Sequence, residues 1–277
     1  MFRYTIKSFG RELTVLAGAA VFAFPVYVLV VMALKGDQQA ASDPLGLPSP
    51  VRASNLKDAW EGGGTAGLGH ALTSSLIITI GSVVCLVAIG SLCAYAIARR
   101  PSRLGTGLYI LFMVGIMLPL QLGVVPLFVA FRNLGLTGSY VGMIVLYTGL
   151  FMPFTVFLYT GFIRALPKEY EEAAQVDGAG LVRTYLRVVF PLLRPITGTV
   201  GILAGLLIWN DFFVPLVFLS GSDKETLPLA LYSFVGENTS AWNLIMAAVV
   251  ISIAPIMVFY LFAQRQLIKG FAGGLRG

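Results

Sequence analysis

Two groups of polar residues stand out in a chain of 277 residues that is otherwise apolar. The first is Glu169, Glu171 and Glu172, with Asp177 close behind. A carboxylate at the edge of a short helix can pair with a basic residue on another surface and hold two bodies in register. The second group is Trp209, Asn210 and Asp211, where Asp211 is the only acidic residue well inside a long apolar run. Ionisable groups in lipid are costly and face a partner or a wet cavity. This cluster therefore has two readings. It presents polar and aromatic surface to a passing solute, or it acts structurally or as a gate, through an interhelical lock or a helix broken near Asn210. Gln121, flanked by Pro119 and Pro126, carries the same pair of readings.

Several chemistries lack their residues. No Gly-x4-Gly-Lys-Ser/Thr run occurs, so any ATP must be hydrolysed by another chain. His70 is the only histidine, too little for a catalytic dyad or a Cys/His metal cluster. Cys85 and Cys93 stand about 12 Å apart along a helix, too far for a disulfide, and read as packing residues. The chain is expected to be no enzyme and to bind no metal or cofactor of its own.

The elements that position these groups follow from composition. Apolar residues make up 57% of the chain and charged residues 12%, with a mean hydropathy of +0.85. A soluble domain carries roughly 25% charged residues, so lipid must be the solvent for most of this surface. Six runs are long enough to cross about 30 Å of hydrocarbon: Leu13–Leu34, Ala71–Ala98, Gly105–Phe131, Tyr140–Ile163, Ile196–Ser220 and Trp242–Ala263. The third is expected to bend at its prolines. The first exceeds a secretory h-region of about 7–15 residues and ends in Lys35-Gly-Asp37 without a small-x-small site, so a retained helix is expected.

Charge sets the orientation. Of 19 Lys and Arg, 14 fall in the N-terminus, in the second and fourth connections and in the tail, if the N-terminus is cytoplasmic. That bias places both ends inside, and it accounts for the net charge of +6 without nucleic-acid binding. The organisation is then a cytoplasmic N-terminus (1–12), a first span (13–34), an extracytoplasmic connection (35–70) rich in Gly, Pro and Ser with the Gly62–Gly64 run, a transmembrane core (71–264), and a cytoplasmic tail (265–277). A long cytoplasmic connection (164–195) interrupts the core.

That connection predicts two helices. Pro167 suits a first helical turn, the glutamates suit its dipole, and Gly178 suits a left-handed stop. Tyr170, Ala173 and Ala174 make a small flat apolar face. Leu181, Tyr185, Val188 and Val189 make one stripe of a second helix, with Arg183 and Arg187 opposite. Pro191 and Pro195 end it. Residue chemistry leaves two possibilities: a coupling element that seats in a groove of a cytosolic partner, or an ordinary interfacial amphipathic helix.

Glu172-Ala-Ala174, Gly178, and Val188-x-Phe-Pro191 resemble the EAA loop of ABC-importer permeases, with every spacing kept and Val188 and Phe190 standing for Ile and Leu. Met117-Leu-Pro-Leu-Gln121, Pro126-Leu-Phe128, Trp209-Asn-Asp-Phe212, Arg265-Gln266 and Lys269-Gly270 resemble the carbohydrate-uptake branch, and within it the shorter, six-span partner of the maltose-type pair. The resemblance covers roughly Leu72 to Gly277. It implies an all-α transmembrane subunit of the bacterial cytoplasmic membrane, forming half of a sugar pathway with a second related permease. Two cytoplasmic ATPase subunits using ATP and Mg would dock on it, and an extracytoplasmic solute-binding protein would deliver the sugar. It implies ATPase coupling through Glu171, Glu172, Ala173, Ala174, Asp177, Gly178 and Pro191. A permease for another solute, an ATP-independent transporter or channel, and a membrane-embedded enzyme are the rival readings.

Overall fold

A computed structural model describes residues 6–62, 67–100, 102–237 and 241–274. Arg3 and Arg276 of the charge bias, and Gly63 and Gly64 of the glycine run, lie outside the described residues. The described residues form helices without a strand. Among the described residues, three helices are long and apolar enough to cross a membrane unbroken, and bent pairs raise that number to as many as five. The chain divides into two compact units, one of 1–71 with 229–255 and one of 72–228 with 256–277.

In the first unit, α1 (Ile6–Ala33) is a single helix covering all of the expected first span but its last residue, Leu34. Its apolar side chains are bare up to Tyr27, Phe22 being 83% exposed, while Val31, Met32 and Ala33 at its end are buried; water would not tolerate the bare stretch at this density. The connection after it is more ordered than its Gly, Pro and Ser content suggests. Two short helices form there, α2 (Asp37–Ser42) and α3 (Ser54–Glu61). Buried Asn55 is the reason: its Nδ2 donates to the carbonyls of Ala33 at 2.8 Å and Lys35 at 2.7 Å. It thereby satisfies carbonyls that the end of α1 leaves without helical partners. Asn243 donates to the same Lys35 carbonyl at 3.2 Å, from a helix whose Trp242 start matches the expected sixth span.

The second unit holds the polar groups. Its central helix, α4 (Leu68–Arg99), contains the expected second span and widens into a π-turn at Leu86–Gly90. Next come α5 (Arg103–Met117) and α6 (Leu120–Asn133), which bend by 104° at Leu118–Pro119. The expected bend is thus set at Pro119, while Pro126 sits inside α6. Helix α7 (Tyr140–Ala165) follows as one piece, capped by the Ser139 hydroxyl accepting from the Gly142 N–H at 3.0 Å. It packs on α4 at close range: a Cβ on Gly90 would lie 2.5 Å from the Thr155 methyl. Close backbone approach through small residues replaces the hydrophobic effect as the packing force in lipid.

Two further helices, α8 (Glu169–Val176) and α9 (Leu181–Leu192), occupy the long connection. Helix α10 (Arg194–Asn210) leaves α9 at 72°. The expected fifth span, Ile196–Ser220, is not one helix. It breaks after Asn210 and restarts as α11 (Phe213–Leu219). An additional helix absent from the span pattern, α12 (Leu227–Glu237), precedes α13 (Trp242–Gly274). A buried cluster of Ala94 and Ile97 of α4, Val156, Tyr159 and Ile163 of α7, Tyr185 and Val189 of α9, and Leu193 with Val200 of α10 joins these four helices. Cys93 packs against it as a reduced residue.

Candidate functional site

Helix α8 begins and ends where its sequence dictates. Three glutamates occupy its first turn. At the other end Gly178 adopts φ +79°. The Ala179 N–H then reaches back to the Ala174 carbonyl at 2.9 Å, and the Gly178 N–H to Gln175 at 3.0 Å. This paired closure requires a residue that enters the left-handed region without strain. The helix stops here, and α9 starts at Leu181.

The faces of α8 are unequal. Glu172, Ala173, Asp177 and Gly178 are exposed and Ala174 is half-buried. Tyr170 is 52% exposed and Val176 87%. An apolar patch of this kind, rimmed by carboxylates, has the composition of a contact surface. Beside it lies a cleft of about 360 Å³ lined by Tyr95, Arg99, Arg100, Lys168, Glu171 and Glu172.

Glu171 belongs to the opposite side. It is 8% exposed, and its carboxylate points into the chain. The Arg99 Nε donates to Oε1 at 2.6 Å, and the Tyr95 hydroxyl donates to Oε2 at 2.8 Å. A terminal nitrogen of Arg99 donates to the Leu166 carbonyl at 3.0 Å. Glu171 is therefore placed apart from Glu172, with which the resemblance grouped it: it anchors α8 and leaves the exposed face to Glu172. In the sequence Arg99 is one of the basic residues that set orientation, and Tyr95 carries no signal of its own. Their i, i+4 spacing at the end of a span is the one sequence signal that pairs them on a face.

Helix α9 is held by a second polar contact. Ser91 Oγ and the Tyr185 hydroxyl lie 2.7 Å apart, and the Tyr95 and Tyr185 rings meet at a 40° tilt with 5.2 Å between centroids. The expected stripe is only partly inward: Tyr185 and Val189 are buried, while Leu181 is exposed like Arg183 and Arg187. A π-turn spans Tyr185–Val189, with the Phe190 N–H bonded to the Tyr185 carbonyl. Half-buried Pro191 follows; it has no N–H to give and its ring crowds the preceding turn, which favours such a widened turn before it. Ser91 closes the corresponding π-turn of α4, so the two irregular turns meet at one hydrogen bond.

The intramembrane groups separate. Asp211 ends α10 and begins α11: its Oδ1 accepts from the Phe213 N–H at 3.0 Å, and its Oδ2 accepts from the Tyr147 hydroxyl at 2.9 Å. A helix break and an interhelical lock thus coexist at one carboxylate. Asn210 does neither, since its Nδ2 donates to the Leu206 carbonyl of its own helix at 2.8 Å. Gln121 is exposed at the start of α6.

This helical architecture, with a short acidic helix clasped against the end of a long apolar one, defines a membrane permease. Residues 86–272 match the family described as binding-protein-dependent transport system inner membrane component, and the chain belongs to that family. It is 36% identical to the melibiose/raffinose/stachyose import permease protein MelC of Bacillus subtilis (strain 168), over 95% of each chain. It is 33% identical to the probable starch degradation products transport system permease protein AmyC of Thermoanaerobacterium thermosulfurigenes, over 90% of each. In fold it matches a chain from the crystal structure of a bacterial ABC transporter involved in the import of the acidic polysaccharide alginate. The TM-score is 0.79 at 21% identity, covering 96% of this chain and 99% of that one.

Proposed function

We propose that the chain forms half of the translocation pathway of an ATP-driven importer for a di- or oligosaccharide. The remaining subunits would be a second, related permease, two cytoplasmic ATPases and an extracytoplasmic binding protein. ATP and Mg are used by the ATPases, and this chain binds no cofactor. Both termini and the α8–α9 elbow lie on the cytoplasmic side of a bacterial inner membrane, in line with the basic residues of the connections. Exposed Glu172, Ala173 and Val176 form the surface offered to an ATPase groove.

The observation that carries this reading is the geometry of α8: a helix closed at Gly178, bare on one face and bonded to α4 on the other. A helix of that kind can take up a rigid-body movement and pass it on. Sugar is favoured as cargo by the names of the relatives. The test is reconstitution of the chain with its companion subunits in proteoliposomes. ATP-dependent uptake of labelled raffinose or maltotriose is expected; uptake that proceeds without ATP or without the ATPases would overturn the reading.

A further inference from the structure

Helix α8 is joined through the chain to α7 and α10, so a push on α8 moves those two helices by covalent connection alone. Helix α4 has no such connection to the elbow. It is gripped by side chains instead. Ser91, Tyr95 and Arg99 fall at i, i+4 and i+8 and make one polar stripe on α4. Each reaches the elbow: Ser91 to Tyr185 at 2.7 Å, Tyr95 to Glu171 at 2.8 Å, and Arg99 to Glu171 at 2.6 Å. The Arg99 and Glu171 side chains are each only 10% exposed.

A buried ion pair is a poor device for stability, because well-packed apolar residues of the same volume do as well or better. Its distinctive property is direction. Both carboxylate oxygens of Glu171 are committed, and Arg99 adds a bond to the Leu166 carbonyl just before α8. The three groups cannot slide past one another without losing charge-assisted bonds.

We propose that Arg99, Glu171 and Tyr95 are a latch that makes α4 the third helix driven by α8. They are positioning residues for coupling, distinct from the exposed face of the same helix. The proposal rests on the reading of α8 as the ATPase contact.

The test uses the reconstituted complex in a Cys85→Ser/Cys93→Ser background, with one reporter cysteine at Leu92 on α4 or at Phe157 on α7, both exposed positions. The rate of N-ethylmaleimide labelling is measured with and without ATP plus vanadate. With the latch intact, both reporters are expected to shift by about fivefold, within the range of ordinary allosteric coupling. Glu171→Ala should cut the shift at Leu92→Cys, leaving only what the Ser91–Tyr185 bond transmits, and keep the full shift at Phe157→Cys; the exchange Arg99→Glu/Glu171→Arg should restore it. An undiminished shift at Leu92→Cys in Glu171→Ala overturns the latch, as does an intact-latch complex in which only Phe157→Cys shifts. Should Glu171→Ala not assemble, Tyr95→Phe decides by the same measurement, since it removes one bond and keeps the ring. Shifts at neither reporter in the intact complex, or normal uptake in Glu172→Lys, would instead overturn the ATPase-contact reading.

Discussion

The α8–α9 elbow and the α5–α6 bend are both sharp junctions between helices, the first turning at Gly178 and the second at Pro119. Their surroundings differ completely. In the elbow, α8 is fixed by two bonds to one carboxylate, α9 by Tyr185, and the turn between them by a left-handed glycine. At the bend, neither α5 nor α6 has a buried residue. Met117 is 83% exposed, Leu118 66% and Leu122 78%. What holds that region sits to either side: Arg164 stacks over Tyr109 at 4.8 Å, and Phe128 and Phe131 meet Phe218 edge-on. One turn is built to stay rigid within the chain. The other presents apolar surface for lipid or a second permease to cover.

The contrast can be broken from either side. Glu172→Lys has the largest expected effect: reversing the charge on the exposed edge of α8 should reduce uptake to background while membrane insertion, read by protease accessibility, stays normal. Gly178→Pro comes next, because proline cannot adopt φ +79°. The elbow should lose its closure, and the ATPases should dissociate during purification. Asp211→Asn is expected to be milder. It removes the charge behind the Tyr147 and Phe213 bonds, worth about 1–2 kcal/mol together with the cap, and should cut uptake severalfold with the ATPases still bound. Loss of the ATPases in that variant would make the break at Asp211 an assembly feature. Leu122→Ser at the bend should be smallest. No change is expected in thermal unfolding of the isolated chain, only weaker retention of the companion permease on affinity purification.

Local features of the elbow were legible in the sequence. The start of α8 follows from its glutamates and its end from Gly178, because each signal lies within a few residues of what it controls; Pro167 instead stands before the Lys168 cap, and α9 runs past Pro191 with only Tyr185 and Val189 of its stripe buried. The family pattern of Glu172, Ala173, Ala174, Gly178 and Pro191 then singled out this segment. The inward role of Glu171 was not legible. Its partners stand 72 and 76 positions away, and nothing in the spacing of three glutamates tells which one turns inward. Asp211 shows the same limit. Its helix break was one of the readings open at the start, but Tyr147 lies 64 positions off, and an uninterrupted apolar run hid the break at the level of spans. The connection 35–70 misled for the opposite reason: its composition favours loops, and Asn55 organises it through contacts to the distant end of α1.

The most direct measurement places a photoreactive side chain at Val176 on α8, or at Met117 beside the bend, in the assembled complex. Illumination should join Val176 to an ATPase subunit and leave Met117 joined only to lipid or the companion permease. An ATPase adduct at Met117, or none at Val176 in a complex that still transports, would contradict the assignment of α8 as the surface that receives the force of ATP hydrolysis.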